Sequence, residues 1–399
     1  MVVTLLRRNG ALLLTAFLLS GLVNVHAQAF FAASVPAAKE RWLAGTLLAG
    51  TVASIAAVRL SRRFGFPGSG VRAGTLLVLS MLALSAVVFG ARGPWLYAAA
   101  HVGVRAVANY VTQELDRRAT ALAGASRARN DQLGSALRFG GMLLGPLWLG
   151  AVSAGATQAR VALWNGCALA VLGALALAAC RAVGSGGEAL RPAEAPRPLS
   201  RSGRAVWGCA LAIYGAYFLL ASSAVYVLRD LHGRADATVM GSALIATVYA
   251  SAIVSTAVIG VLTREGLALR WMRVAPVTMA LAGALLGTDA AGATPVLFGA
   301  GVVLGIAFAL FMLAFREHVT TRAAAGEPEW LAAFNNLGNS SALVGFGAMA
   351  ALVGLGSVWP GSYGVRLGVG LLALSAVALL LSRARVPHKG MAALHATQP

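Results

Sequence analysis

Long apolar runs, broken at near-regular intervals by short polar gaps, extend along almost the whole 399-residue chain. A helix needs roughly 20 residues to cross the hydrocarbon core of a bilayer. Runs of about that size occupy 11–34, 42–60, 73–89, 94–111, 133–152 and 161–180, then 206–228, 240–262, 274–286, 296–315, 330–353 and 365–381. The pattern therefore predicts an all-α polytopic membrane protein with twelve transmembrane helices. The ninth run is the shortest and is closely flanked by Arg270, Arg273 and Asp289.

Composition agrees with this reading. With 58% apolar and 11% charged residues, the chain has too little polar surface to coat a soluble globule, so lipid is its solvent. A net charge of +19 can signal nucleic-acid binding, but here the basic residues sit in loops and do not cluster with aromatics, which argues against such a partner. Cys167, Cys180 and Cys209 lie in or beside apolar runs without a CxxC pair. Neither a metal site nor a disulfide framework is expected, and no cofactor is implied. Arg7, Arg8, an apolar stretch and VHAQA resemble a signal peptide with a cleavage site. The apolar character continues through Ala33, however, so an uncleaved first helix is the expectation.

Placement of the basic residues orients the helices, because cytoplasmic loops retain Lys and Arg. With the N-terminus inside, seven of the 32 basic residues fall outside: Lys39, Arg41, Arg92, Arg160, Arg229, Arg234 and Arg366. Two, Arg105 and Arg138, lie within runs, and the remaining 23 are cytoplasmic. The alternation holds loop by loop and places both termini in the cytoplasm, consistent with a bacterial inner membrane. The stretch 181–205, with GSGGE and RPAEAPRP, is Gly- and Pro-rich and cannot form a buried helix. It divides the chain into a six-helix bundle over 1–180, a cytoplasmic linker over 181–205, a second bundle over 206–382 and a cytoplasmic tail over 383–399. Six runs on each side make the halves parallel repeats. Weak similarity at an offset of 204 residues supports this, pairing Arg118-Ala119 with Arg322-Ala323, Leu133-Gly134 with Leu337-Gly338, Ser135 with Asn339, and Gly141 with Gly345.

Charge inside the runs marks candidate function. Arg105 lies deep in the fourth run, where a charge costs at least about 2.5 kcal/mol on insertion scales. At helical spacing it shares a stripe with His101, Thr112 and Asp116, with Asn109 near its edge. Such an arginine either faces a wet cavity or is satisfied by neighbouring carbonyls and ties helices together. Arg138 lies six residues into the fifth run; it either snorkels to the headgroups or faces the cavity, with Asp131 two turns away. No Asp or Glu sits mid-run. The interior is therefore positive, which favours an anionic or carboxylate-bearing solute over a cation. Further inward candidates are Asn24 and Gln28, Tyr214 and Tyr217, and Asn335, Asn336 and Asn339, whose amides and phenols can hydrogen-bond a solute or a neighbouring helix. His26 and His101 are the histidines placed to carry protons.

The six-plus-six layout with a basic central loop resembles the major facilitator superfamily along the whole chain. In its antiporters the fifth helix carries a run ending G-x-x-x-G-P-x-x-G-G; here Gly141, Gly145, Pro146 and Gly150 fit, while Leu149 replaces the first Gly of the closing pair. Small residues let helices approach and Pro146 permits a bend, so ordinary close packing is the competing account. Of the family's fourth-helix R-x-x-Q-G, an arginine linked to proton coupling, Arg105 alone carries over. In the loop after the second helix Leu60, Arg63 and Gly65 match G-x-L-x-D-R-x-G-R, but Arg62 stands at the Asp position.

The resemblance implies a secondary transporter working by alternating access, with a proton as coupling ion. The only lysines, Lys39 and Lys389, belong to no phosphate-cradling loop, so nucleotide hydrolysis is not the energy source. HExxH and G-x-S-x-G are both absent, and an enzyme is not expected. Gly145-Pro146 is similar to the proton-driven exporters. The stretch 130–150 together with a positive interior is similar to exporters of siderophores or related carboxylate metabolites. Multidrug efflux is the alternative, with an importer or a transport-dead sensor behind it.

Overall fold

The computed structural model describes residues 40–64, 101–106, 127–153, 158–183, 199–232, 234–262, 269–288, 294–324, 327, 329–356, 358–359 and 362–382, with isolated residues between 10 and 25 and between 95 and 99. Among these the regular structure is entirely helical. The helices are α1 (Glu40–Phe64), α2 (Arg127–Ser153), α3 (Gln158–Val183), α4 (Arg201–His232), α5 (Arg234–Leu262), α6 (Val274–Leu286), α7 (Thr294–Ala324), α8 (Glu329–Leu355) and α9 (Tyr363–Ser382). A 3-10 turn, Leu269–Arg273, leads into α6. Six segments are long and apolar enough to cross a membrane, namely Arg41–Leu60, Arg201–Asp230, Ala237–Ile259, Thr294–Ala323, Asn336–Leu355 and Tyr363–Ser382. Ala136–Val152, Leu163–Leu175 and Trp271–Leu286 are shorter apolar helices. The protein is an integral membrane protein. These nine segments match the second, fifth and sixth expected runs and all six of the second half. The third run, half of the fourth and all but isolated positions of the first lie outside the described residues.

Helix is the natural state for these segments, because lipid offers backbone groups no alternative partner. Hydroxyl side chains follow the same logic. Thr51 donates to the Leu47 carbonyl at 2.9 Å, Ser54 to Gly50 at 2.8 Å and Thr256 to Ala252 at 2.7 Å, so these three buried hydroxyls are satisfied within their own helix. Helices extend into the stretch read as a linker from both sides, α3 running to Val183 and α4 starting at Arg201. In α6, Pro276 occupies the first turn, where a missing N–H costs nothing.

Within the C-terminal half α4 packs on α8 and α9, α5 on α7, and α6 on α7 and α9. Two seams join the halves: α2 lies against α5, and α1 against α8. Close approach inside each half depends on glycine. A methyl at Gly141 of α2 would strike the Phe17 carbonyl oxygen and lie 2.9 Å from Ser20 Cβ and 3.0 Å from Gly21 N. A methyl at Gly345 of α8 would strike the Gly215 carbonyl oxygen and lie 2.6 Å from Phe218 Cβ and 2.9 Å from Leu219 N. Each glycine meets the same three atoms of its partner helix, at positions i, i+3 and i+4. The 204-residue offset between Gly141 and Gly345 thus relates stereochemically equivalent residues, and Phe17 corresponds to Gly215.

Polar contacts tie together the ends of the C-terminal helices. Where α7 meets α8, Arg322 pairs with Glu327 at 3.0 Å, and Glu327 accepts a 3.0 Å bond from the Trp330 indole. At the opposite end, Asp230 closing α4 accepts from the Tyr363 backbone N–H at the start of α9 at 3.3 Å, and the Ser223 and Tyr363 hydroxyls lie 3.2 Å apart.

Candidate functional site

Where the two halves meet, basic and aromatic side chains converge. His101 and Arg105 stand one turn apart, and both rest on Gly50 of α1. A methyl there would lie 3.4 Å from His101 Cδ2 and 3.4 Å from Arg105 Cγ. Gly50 lets a helix bearing two bulky polar side chains press against α1. His101 is buried and Arg105 half-buried. These two residues belong to the polar stripe expected for that helix; Thr112 and Asp116, further along it, lie outside the described residues.

Arg138 projects from α2 and is half-buried. Both it and Arg105 lie within electrostatic range of the Tyr214 hydroxyl on α4, across the divide between the halves. Arg138 therefore stands at the interface between the halves. The next residue, Phe139, is buried and packs edge-on against Phe308 of α7, with ring centroids 5.4 Å apart.

Phe308 is the centre of an aromatic wall in the C-terminal half. Tyr217 stacks on it at 4.7 Å with 20° between the ring planes, and Tyr214 lies 5.2 Å from it. Tyr214 also meets Phe218 at 5.0 Å and Tyr217 at 5.9 Å. The Tyr217 hydroxyl donates to that of Tyr249 on α5. Tyr214 and Tyr217, one turn apart, thus share Phe308 as a neighbour, and Tyr217 is further enclosed by Tyr249 of α5.

The remaining expected site residues are more scattered. Asn339 is buried in α8 and Asn336 half-buried; Asn335 belongs to that helix, but its side chain is outside the described residues. Asn24, His26 and Gln28 also lie outside them. In α2, Gly145 and Pro146 are buried, and Pro146 leaves the Met142 carbonyl without its usual helical donor. Gly150 faces Ser242 of α5, where a methyl would sit 3.7 Å from Ser242 Cβ. That places the last glycine of the motif on the seam between the halves, whereas Gly141 packs within one half. No group of three or more His, Cys, Asp or Glu suited to a metal ion occurs among the described residues.

Sequence reasoning missed Phe139, Tyr249 and Phe308, which read as ordinary apolar residues inside a span. One signal was available. Phe308, Phe311 and Phe315 recur at helical spacing in α7, and neighbouring rings lie 6.2 and 5.8 Å apart in an aromatic stripe.

No protein-family model matches the chain, and no curated protein matches it significantly. Its fold is nevertheless that of solved membrane transporters. A crystal structure of the nucleoside transporter NupG superposes with a TM-score of 0.63 at 10% identity, covering 95% of this chain and 97% of that one. A point variant of the same transporter gives 0.56 at 13% identity, covering 95% and 98%. At this identity the likeness is one of fold alone, and it runs along essentially the full length of both chains.

Proposed function

We propose that the protein is a secondary transporter that carries a small anionic or carboxylate-bearing metabolite by alternating access, the two halves rocking about a site between them. The observation that carries this reading is a pair of arginines on separate helices near the boundary of the halves, Arg105 packed on Gly50 of α1 and Arg138 next to Phe139, whose ring meets Phe308 of the other half. A permanent cation at bilayer depth is costly, and a site that holds two of them recognises negative charge. Likeness of fold to a nucleoside transporter supports transport as the activity.

Proton-coupled export across a bacterial inner membrane is the direction we assign, with a siderophore-like carboxylate as the model cargo and multidrug efflux as its nearest rival. The assignment rests on the similarity of Gly141, Gly145, Pro146 and Gly150 to an exporter motif. A second reading, transport of a neutral nucleoside-like solute in either direction, is favoured by the fold likeness and by the rings beside the arginines.

The test compares metabolites retained and released by cells with and without the protein, complemented by Arg105→Ala and Arg138→Ala at equal expression. Accumulation of an anionic metabolite in the deletion strain, not relieved by Arg105→Ala, is the expected result. Unchanged pools, or retention of cationic drugs alone, would overturn the anionic reading. Depletion rather than accumulation inside the deletion strain would reverse the direction.

A further inference from the structure

We infer that the transported anion also carries a planar aromatic ring, its charged group held by Arg105 and Arg138 and its ring by the Tyr214, Tyr217 and Phe308 surface. This inference rests on the anionic reading above and narrows the solute class. Tyr214 is the joint between the two kinds of recognition. It shares electrostatic range with both guanidinium groups, and its ring lies 5.2 Å from Phe308 and 5.9 Å from Tyr217. Arg138 immediately precedes Phe139, whose ring meets Phe308 at 5.4 Å, so cationic and aromatic side chains gather at one boundary, and an aryl carboxylate offers a group to each.

Three physical features favour a ring over an aliphatic chain. Aromatic faces select partners by stacking and edge-on geometry, which a saturated ring of similar size cannot reproduce. Arginine adds to this, because its planar guanidinium binds a carboxylate bidentately and stacks on π faces. The aromatic surface also belongs to the moving boundary: Phe139 of one half touches Phe308 of the other at 5.4 Å. Rocking the halves apart separates that pair and leaves an aromatic slot beside the arginines. Tyr214 and Phe218 are half-buried, while Tyr217 and Phe308 are buried. The slot is therefore lined by rings that are largely covered when the halves touch.

The experiment measures binding by the purified full-length protein in liposomes of three probes: 4-hydroxybenzoate, cyclohexanecarboxylate and uridine. The expected result is that 4-hydroxybenzoate binds roughly three- to tenfold more tightly than cyclohexanecarboxylate. Phe308→Leu should erase that ratio, and Arg105→Gln should weaken both carboxylates. Tyr217→Leu provides the same readout should Phe308→Leu fail to fold, and a ratio that survives in every ring variant that folds overturns the assignment of these rings. Equal binding of the two carboxylates, lost in Arg105→Gln, overturns the aromatic inference while leaving the anionic site intact. Binding of uridine alone overturns both, and so does binding of none of the three.

Discussion

The two halves of the molecule share a scaffold but not a chemistry. Gly141 and Gly345 occupy equivalent positions, each pressed against the same backbone atoms of a partner helix. The side chains near the boundary of the halves differ: the N-terminal side brings Arg105, Arg138 and Phe139, whereas the C-terminal side brings Tyr214 and Phe308. The packing at this matched pair of glycines is thus alike, while the side chains at the boundary take separate roles. The comparison also bears on Gly141 as an exporter signature. A residue with an exact packing counterpart in the other half is explained by close helix approach alone. Gly150 faces Ser242 across the seam, whereas a methyl at Gly354, its counterpart at the same offset, would meet nothing within 4 Å; this unmatched contact is the better guide to how the halves differ.

The comparison can be broken or sharpened by substitution. The largest effect is expected at the basic wall: Arg105→Ala should lower solute flux at least about thirtyfold, with the protein still monodisperse in detergent. An equal loss in Tyr214→Phe would mean that the halves do not divide the work as described. Next come the paired glycines. Gly141→Ala and Gly345→Ala should each destabilise by about 1–3 kcal/mol, read from thermal unfolding in detergent. A response from one alone would show that the seams are not equivalent. Tyr249→Phe removes a hydroxyl from the Tyr217 pair and should cost about 0.5–1.5 kcal/mol. Smallest is Glu327→Gln, which weakens the part-exposed pair with Arg322; about 1 kcal/mol or less is expected in the same assay.

Much of the fold was legible in the sequence because lipid imposes a coarse code of apolar stretches about as long as the membrane is thick. Even the short ninth span appears as expected, with α6 only 13 residues long and a 3-10 turn carrying Arg270 and Arg273 before it. The repeat was visible at Gly141 and Gly345 but not at their partners. Phe17 and Gly215 are separated by 198 residues rather than 204, so one sequence offset cannot align both helix pairs. Arg105 stood out because charge is rare at depth. The aromatic wall did not, since a phenylalanine in an apolar helix looks the same whether it faces lipid, core or solute. Side-chain direction becomes decisive only when two helices are placed, as Phe139 and Phe308 show.

The short helix α6 has a mechanical consequence. At about 1.5 Å per residue its 13 residues reach about 20 Å, and the five-residue 3-10 turn adds about 10 Å. Together they only just equal a hydrocarbon thickness of about 30 Å. Val277 and Leu281 project outward, as lipid-facing residues would. By contrast, α7, with 31 residues, has length to spare. The short rod has little slack for mismatch, and a thicker bilayer would strain it before α7. If the proposed transport holds, its turnover should fall as acyl chains lengthen, making the lipid itself a tuning element.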